Sequence, residues 1–505
     1  MGVPVSICTD NTLMSGVKLS SELKLVADTF DLTLNELVEM LYHGFSAAFV
    51  NPLRRDVLRE EALMNLLELL RGLVTEGSLE NEHLEEVFVK LSSLEGGYEI
   101  VKKFKESEAS YIKNQKILNI SADVIQSLPK ADLHCRLIGS VPLDVMWKEV
   151  ELLEENTDEY NIFCTSLEDT ALVEVSSYHS FASLLFPERR TNRGYERAKN
   201  ICAALLRSPA QIKRGVAAVL QRAIDDNIVY LELVVQPHFH TSSILSTFDS
   251  VITTINQAIE EELEVLKKTS NAIPIVHIVI ASRINTDSLE VTRGLAAAAI
   301  RAKKTQPRVI GFGAYGGEIS VAMFKNGYAE VFRSLQENFL RLYVSAGVKD
   351  PCSILPALTA SANRLSCCYS LHKKPALIES LALHRNKIAL EMTQSNNFMD
   401  YTSETKSFSE NVIRFYLENG VSIAIVSINS LMSGTFTEAR DSSLSKTIAK
   451  LVTDAGLTLE DLFKLLDCSI RSAKVESNVQ EKLLQSLSKA FDSLYCEFHS
   501  KCIRA

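Results

Sequence analysis

The sequence predicts an α/β protein with a buried parallel sheet, and three observations lead to it. Short β-rich runs recur through the middle of the chain, at 228–236 (IVYLELVVQ), 273–281 (IPIVHIVIA), 308–316 (RVIGFGAYG), 340–347 (LRLYVSAG) and 387–394 (KIALEMTQ). They are nearly continuous in apolar residues, as strands covered on both faces must be. Helical stretches such as 210–226, 247–268 and 286–304 separate them, and strands alternating with helices imply crossover connections and a parallel sheet. Length is the third observation: 505 residues exceed the roughly 250 that eight β/α units need, so such a fold leaves chain to spare.

The two ends of the chain resemble each other. Residues 3–16 (VPVSICTDNTLMSG) and 421–434 (VSIAIVSINSLMSG) are both apolar, strand-like runs that end in Leu-Met-Ser-Gly. Residues 32–41 (LTLNELVEML) and 457–466 (LTLEDLFKLL) then repeat a Thr, an acidic residue and apolar side chains at helical spacing, the pattern of a capped amphipathic helix. A strand–loop–helix unit is thus expected twice. Between the first copy and the strand-rich part, residues 72–127 are rich in Glu, Lys and Leu with few strand signals, and they read as a helical connector. The expected division is 1–71 as the partial repeat, 72–127 as connector, and 128–505 as the main α/β domain.

Composition narrows the function classes. A formal net charge of −10 argues against a nucleic-acid binder, which would show a basic face. The ten cysteines are scattered, with no C-x-x-C pair, and read as reduced thiols of a cytoplasmic protein. The start, MGVPVSICTDNTLMSG, lacks the basic segment and apolar core of a secretory signal. No apolar run is long enough to span a bilayer.

Seven segments carry a more specific signal. Residues 130–139, within LPKADLHCRLIGS, resemble the PK-x-[ED]-LH-x-HL-x-G opening motif of the adenosine/AMP deaminase family. In family order follow YLELVVQPHFH (230–240), GFGAYGGE (311–318), YVSAG (343–347), RLSCCYS (364–370), LEMTQSNNF (390–398) and IVSINSLM (425–432). They are similar to Y-x-E-x-R-x-x-P, D-L-A-G-x-E, H-A-G-E, R-[IV]-G-H-G, E-x-C-P-x-S-N and N-T-D-D-P. The resemblance implies a (β/α)8 TIM-type barrel with an N-terminal helical extension, and side chains at the carboxyl ends of its strands as the site. The chemistry it implies is hydrolytic removal of a purine 6-amino group. A zinc ion on three histidines and an aspartate makes hydroxide, a glutamate protonates the ring, and a histidine and an aspartate orient the hydroxide.

Position by position, the resemblance leaves little of that chemistry. The first metal histidine is His134, but the second falls on Arg136, a fixed cation that cannot coordinate zinc. The third falls on Ser345 and the metal aspartate on Ile428, which has no donor atom. Val348 stands for the proton-donating glutamate, Cys367 for the orienting histidine, Asn429 for the orienting aspartate, and Ile138 for an acidic residue. Loss of the acid alone costs on the order of 10²–10⁴-fold in rate. Zinc is therefore expected to be absent, with His134 vestigial. Asp10 in the N-terminal copy stands at the metal aspartate position.

What survives is Gly316, at a glycine whose amide contacts the purine in the family, and Glu318, readable equally as a helix N-terminal acid. His238 and His240 are candidate pocket residues or ordinary loop histidines, and Cys367 and Cys368 are read as buried thiols. The N-terminal strand is read as a duplication relic, as the end of a barrel whose start is missing, or as a strand that closes this barrel or a partner's in place of 421–428. The leading expectation is a pseudoenzyme acting as a scaffold or regulator, bound to a protein partner or to itself. The alternatives are a purine nucleoside or nucleotide binder, with Arg136, Gly316 and Asn429 in the pocket, and a divergent deaminase of unusual chemistry.

Overall fold

The computed structural model describes residues 5–9, 14, 16–50, 52–94, 97–114, 120–167, 175–186, 192–270, 272–383, 388–393, 406–429 and 443–504. The chain divides into two compact units, Met1–Gln115 with Asp492–Ala505, and Lys116–Phe491. The first contains helices α1 (Leu19–Phe30), α2 (Leu34–Ser46), α3 (Pro52–Thr75), α4 (Asn81–Ser92) and α5 (Gly97–Asn114). The apolar faces of α2 to α5 meet in a core that includes Tyr42, Leu67, Leu84, Phe88 and Phe104.

The expected repeat holds for its helix. Thr33 caps α2 through a capping box with Glu36, and Thr458 caps the Leu459–Ser472 helix through a capping box with Asp461. In both, the hydroxyl satisfies an orphan amide of the first turn while the carboxylate returns to the cap residue. The strand half of the N-terminal copy differs from expectation, since residues 5–9 are in no strand; Asp10 lies outside the described residues. The expected boundary at 71/72 falls inside α3, and α4 and α5 belong with the first unit rather than forming a separate connector. A helix is continuous where its hydrogen bonds are, whatever the composition on either side.

The second unit is a (β/α)8 barrel. Its strands are β1 (Lys130–Arg136), β2 (Ile228–Val235), β3 (Ile275–Arg283), β4 (Val309–Tyr315), β5 (Arg341–Ala346), β6 (Arg364–Cys367), β7 (Ala389–Met392) and β8 (Ile423–Ile425). They are parallel and adjacent in chain order. Beyond β8 the sheet closes on β1: Arg136 N–H donates to Ile428 O at 2.9 Å and Ile428 N–H to His134 O at 2.8 Å. Residues 421–428 therefore take the eighth place themselves.

Several crossover helices start at Ser or Thr caps, Ser208, Thr247 and Ser288. The crossover helices include α6 (Asn192–Ala204), α7 (Pro209–Asp225), α8 (Phe248–Leu266) and α9 (Leu289–Thr305). Ser208 with Gln211 and Thr247 with Ser250 close capping boxes on α7 and α8, and Pro209 sits in the first turn of α7, where a missing amide costs nothing.

Two glycines of β4 make room for aromatic rings in the barrel. A Cβ on Gly311 would lie 2.8 Å from the Tyr343 ring, and one on Gly313 would lie 2.1 Å from the Tyr315 ring. Both tyrosines are fully buried, so neither ring can move aside into solvent. Gly313→Ala should accordingly destabilise the barrel by about 1–3 kcal/mol through overpacking, measured as a lower urea midpoint at unchanged slope. An unchanged midpoint would show that the Tyr315 ring is loosely held.

Candidate functional site at the carboxyl end of the barrel

Charged residues lie inside strands that otherwise read as apolar: Glu232 in β2, Arg364 at the start of β6 and Glu391 in β7, all buried. A buried charge is tolerated only when paired and hydrogen-bonded, and these three form one network. Arg364 Nε donates to Glu391 Oε1 at 2.6 Å, Nη1 donates to Glu232 Oε1 at 3.1 Å, and Nη2 donates to Glu232 Oε2. Nη2 also reaches Leu133 O at 3.2 Å, and the Tyr343 ring lies 3.8 Å from the guanidinium carbon. Strands β2 and β6 are not neighbours, so the pair spans the barrel interior. Burial pushes the Glu391 carboxyl up, but Arg364 and His134 outweigh it and hold it below its ordinary value.

The network ends on the residue expected to be a lone metal histidine. His134 Nδ1 donates to Glu391 Oε2 at 2.9 Å, and its ring stacks on Tyr315 with centroids 4.1 Å apart. Arg136 Nε donates to His134 Nε2 at 3.1 Å, so both ring nitrogens are engaged and the tautomer is set. Burial above all holds His134 down to about 4, opposed by Glu391 and reinforced by the charges of Arg136 and Arg364. The imidazole is therefore neutral, with its one lone pair given to Arg136. The guanidinium carbon of Arg136 also lies 5.6 Å from the Tyr315 ring centroid.

The remaining positions have ordinary structural partners. Ser345 and Cys367 are buried on β5 and β6, and burial pushes the Cys367 thiol up to about 12 and Cys368 well above its usual value. Ile138 and Ile428 are buried. Val348 N–H donates to Glu318 Oε1 at 2.5 Å, and Lys349 N–H and Ser353 Oγ donate to the same oxygen at 3.1 and 2.9 Å. Glu318 thus ties down the loop after β5 rather than capping a helix. Asn429 Nδ2 donates to the Tyr195 hydroxyl at 2.6 Å, and a Cβ on Gly139 would lie 2.2 Å from Asn429 Oδ1. Gly316 has φ +77° and faces Arg283 and Asn285. His240 Nδ1 donates to Leu206 O at 2.8 Å, and His238 Nε2 lies 3.4 Å from Asp287 Oδ1.

This donor set does not fit a zinc ion. A zinc site takes about four N, S or O donors in tetrahedral array. Here His134 has no lone pair to give, Arg136 brings a positive charge, and Ile428 brings nothing. Among the described residues no group of three or more His, Cys, Asp or Glu is placed to hold a metal.

Residues that motif comparison passed over shape the mouth. Arg283, at the end of β3, pairs bidentately with Glu196 of α6 at 2.6 and 2.6 Å, and Lys199 joins the same carboxylate at 2.6 Å. Burial raises Glu196, yet Arg283 and Lys199 prevail and bring it to about 2; burial and then Arg283 bring Lys199 down to about 8. With Tyr195, these side chains arrive on a helix that no family motif covers. The signal for the interior network was available: a charge within an apolar strand run requires a partner.

The adenosine deaminase family model matches residues 183–490. The chain belongs to the adenosine deaminase family. A Dictyostelium discoideum protein described as a probable adenosine deaminase is 28% identical over 475 residues, covering 92% of this chain and 58% of that protein. The chain thus spans little more than half the length of that relative. A zinc-bound amidohydrolase from Burkholderia ambifaria matches in fold with a TM-score of 0.57 at 16% identity, covering 77% of this chain and 98% of that one. The N6-mAMP deaminase of Arabidopsis gives a TM-score of 0.56 at 16% identity, with 73% and 99% covered.

Two outcomes follow from the buried network. Arg364→Met should cost about 3–5 kcal/mol, because Glu232 and Glu391 stay buried without their cation, and adding Glu232→Gln should recover part of it; chemical denaturation measures both. Stability should also fall with acid. Burial is the main reason that His134, His240 and His277 sit near 4 rather than 6.5 in the folded chain. The unfolded chain then binds more protons between those values, so this stability is complete above pH 6.5 and is lost as pH falls towards 4, on the order of 3 kcal/mol for a fully buried histidine. Asp132, which burial raises to about 6 from 3.8, opposes this over its own window. Three against one leaves a net loss, and a urea midpoint that stays flat from pH 7 to 5 would contradict it.

Proposed function

We propose that this chain is a non-catalytic member of its family, a pseudoenzyme that works as a protein-binding scaffold or regulator. The observation that carries the reading is the 3.1 Å hydrogen bond from Arg136 Nε to His134 Nε2. It consumes the nitrogen lone pair that a metal would use and places a fixed positive charge at the same point. A proton donor is missing too, since Val348 takes the place of the glutamate and only its backbone acts here, on Glu318. Phe30, Phe49, Leu69 and Val89 are exposed apolar side chains of the first unit, as Leu152, Ile244 and Phe339 are of the barrel, and such side chains support a role in binding a partner or a second copy.

A second reading, a binder of purine nucleosides or nucleotides, has its own observation. Arg136 is only partly buried at the mouth, and next to it Asn429 and Tyr195 form a polar pair able to turn to a ligand, with the Arg136 guanidinium suited to a phosphate.

The deciding experiment joins zinc analysis of the purified chain to ammonia release from adenosine and AMP, and to calorimetry with adenosine, AMP, inosine and IMP. The pseudoenzyme reading expects substoichiometric zinc and no turnover. Absence of heat with all four ligands supports the scaffold, whereas heat lost in Arg136→Gln supports the binder. Stoichiometric zinc with turnover abolished by His134→Ala would overturn both in favour of a divergent deaminase.

A further inference from the structure

The opposite end of the barrel, where the strands begin, gathers cationic residues that are in no ion pair among the described residues. Arg308 immediately precedes β4 and donates from Nη1 to Val276 O at 3.1 Å. Arg341 opens β5 and donates from Nη1 to Ser472 O at 3.2 Å. Two residues further on, Lys474 N–H donates to the Tyr230 hydroxyl at 2.9 Å, and that hydroxyl lies 3.2 Å from His277 Nδ1 at the start of β3. Lys303 stands in the last turn of α9. The bonds of Arg308, Arg341 and the Lys474 backbone, and the position of Lys303 at the end of α9, place these residues on the amino-terminal face near His277.

The charges act on one another. After burial, Arg308, Lys303, Arg341 and Lys474 are what hold His277 down to about 4, and Arg341 is the chief cause of the lowered Lys474, followed by burial and Lys303. No carboxylate acts on Lys474, while the Tyr230 hydroxyl donates to Glu232 Oε1 at 2.9 Å, and among the described residues none of the four is ion-paired. The carboxyl end of α9 partly offsets Lys303, but nothing comparable serves the others. In a chain of net charge −10, unpaired like charges brought this close are a cost that an anion would remove.

Beside the cluster is a cavity of about 1000 Å³, with Arg341, Asn363, Arg364, Lys464, Arg471 and Ser472 in its wall. Arg471 is paired with Asp467 at 2.6 Å, Lys464 with Glu460 at 2.9 Å, and Arg364 is taken up by the interior glutamates. Arg341 is shared by the cavity and the cluster, and among the described residues its one side-chain hydrogen bond is to Ser472 O. The volume is that of a small-molecule site.

We propose that the amino-terminal face of the barrel is a binding site for a small polyphosphate compound, with Lys303, Arg308, Arg341 and Lys474 holding the phosphates and the cavity beside Arg341 receiving the rest. Several cations converging from different elements suit a group whose charge is spread over adjoining phosphoryl units, since each oxygen can take a charge-assisted hydrogen bond. The site is remote from the family's reaction centre and independent of whether that centre is active.

The test is calorimetry of the full chain with inorganic pyrophosphate. Saturable binding is expected, weaker at higher salt, reduced about threefold in Lys474→Gln and about tenfold or more in Arg341→Gln/Lys474→Gln. It should be retained in Lys474→Arg and in Arg136→Gln at the other end of the barrel. Lys474 is exposed, so its single variant keeps the test valid if the double variant does not fold. No heat at millimolar pyrophosphate would overturn the proposal. So would binding that survives Lys474→Gln and Arg341→Gln, whether or not Arg136→Gln weakens it.

Discussion

A guanidinium enclosed by the barrel is the constraint on which the rest of this structure turns. Arg364 binds Glu232 on one side and Glu391 on the other, and a charge so deeply placed is tolerable only because its donors find acceptors. Strands β1, β2, β6 and β7 are thereby linked through their side chains, in addition to the ladder bonds between neighbours. The consequence reaches the mouth. Glu391 has its Oε1 occupied by Arg364 and presents Oε2 to His134, which leaves the imidazole proton on Nδ1 and the lone pair on Nε2.

That lone pair explains why Arg136 is well suited to its place. A buried imidazole nitrogen without a partner would cost about 1–3 kcal/mol. In a metal site the ion satisfies it; here the neighbouring side chain on the same strand does, at 3.1 Å. The positive charge a metal would bring is replaced by one that is covalently attached. The Glu391–His134 pair can therefore remain in a chain whose other donor positions hold Ser345 and Ile428, with no bound ion needed to satisfy the histidine. Asn429 shows the same economy, turning to Tyr195 in space that Gly139 leaves open.

How much could be read from the sequence depended on how local each feature is. Strands β2 to β5 and β7, and helices α7, α8 and α9, follow from apolar runs and capping residues, and they lie within a few residues of their expected limits. The family positions of the barrel were legible because the motifs lie on strand ends. The N-terminal repeat was only half legible: the Thr33–Glu36 capping box is complete within four residues, so its helix forms wherever the chain puts it. A strand needs a neighbour's edge, and the place open to such a strand is already filled by 421–428. Tyr195, Glu196 and Lys199 were invisible for a different reason, since they act across long sequence distances from a helix outside the motifs.

The two ends of the barrel differ in how charge is compensated, and that difference locates binding better than resemblance does. At the carboxyl end Arg283 and Lys199 share Glu196, while Arg136 rests on His134. Each of these cations already has an internal partner, so a ligand there must compete for it. At the amino-terminal end Arg308 and Arg341 each donate to a backbone oxygen rather than to a carboxylate, and among the described residues neither they nor Lys303 and Lys474 are ion-paired. An anion arriving there displaces no ion pair. The family's catalytic positions mark where the family's chemistry is placed on this fold, whereas cations without an ion-pair partner among the described residues mark where this chain has electrostatic energy to give a ligand.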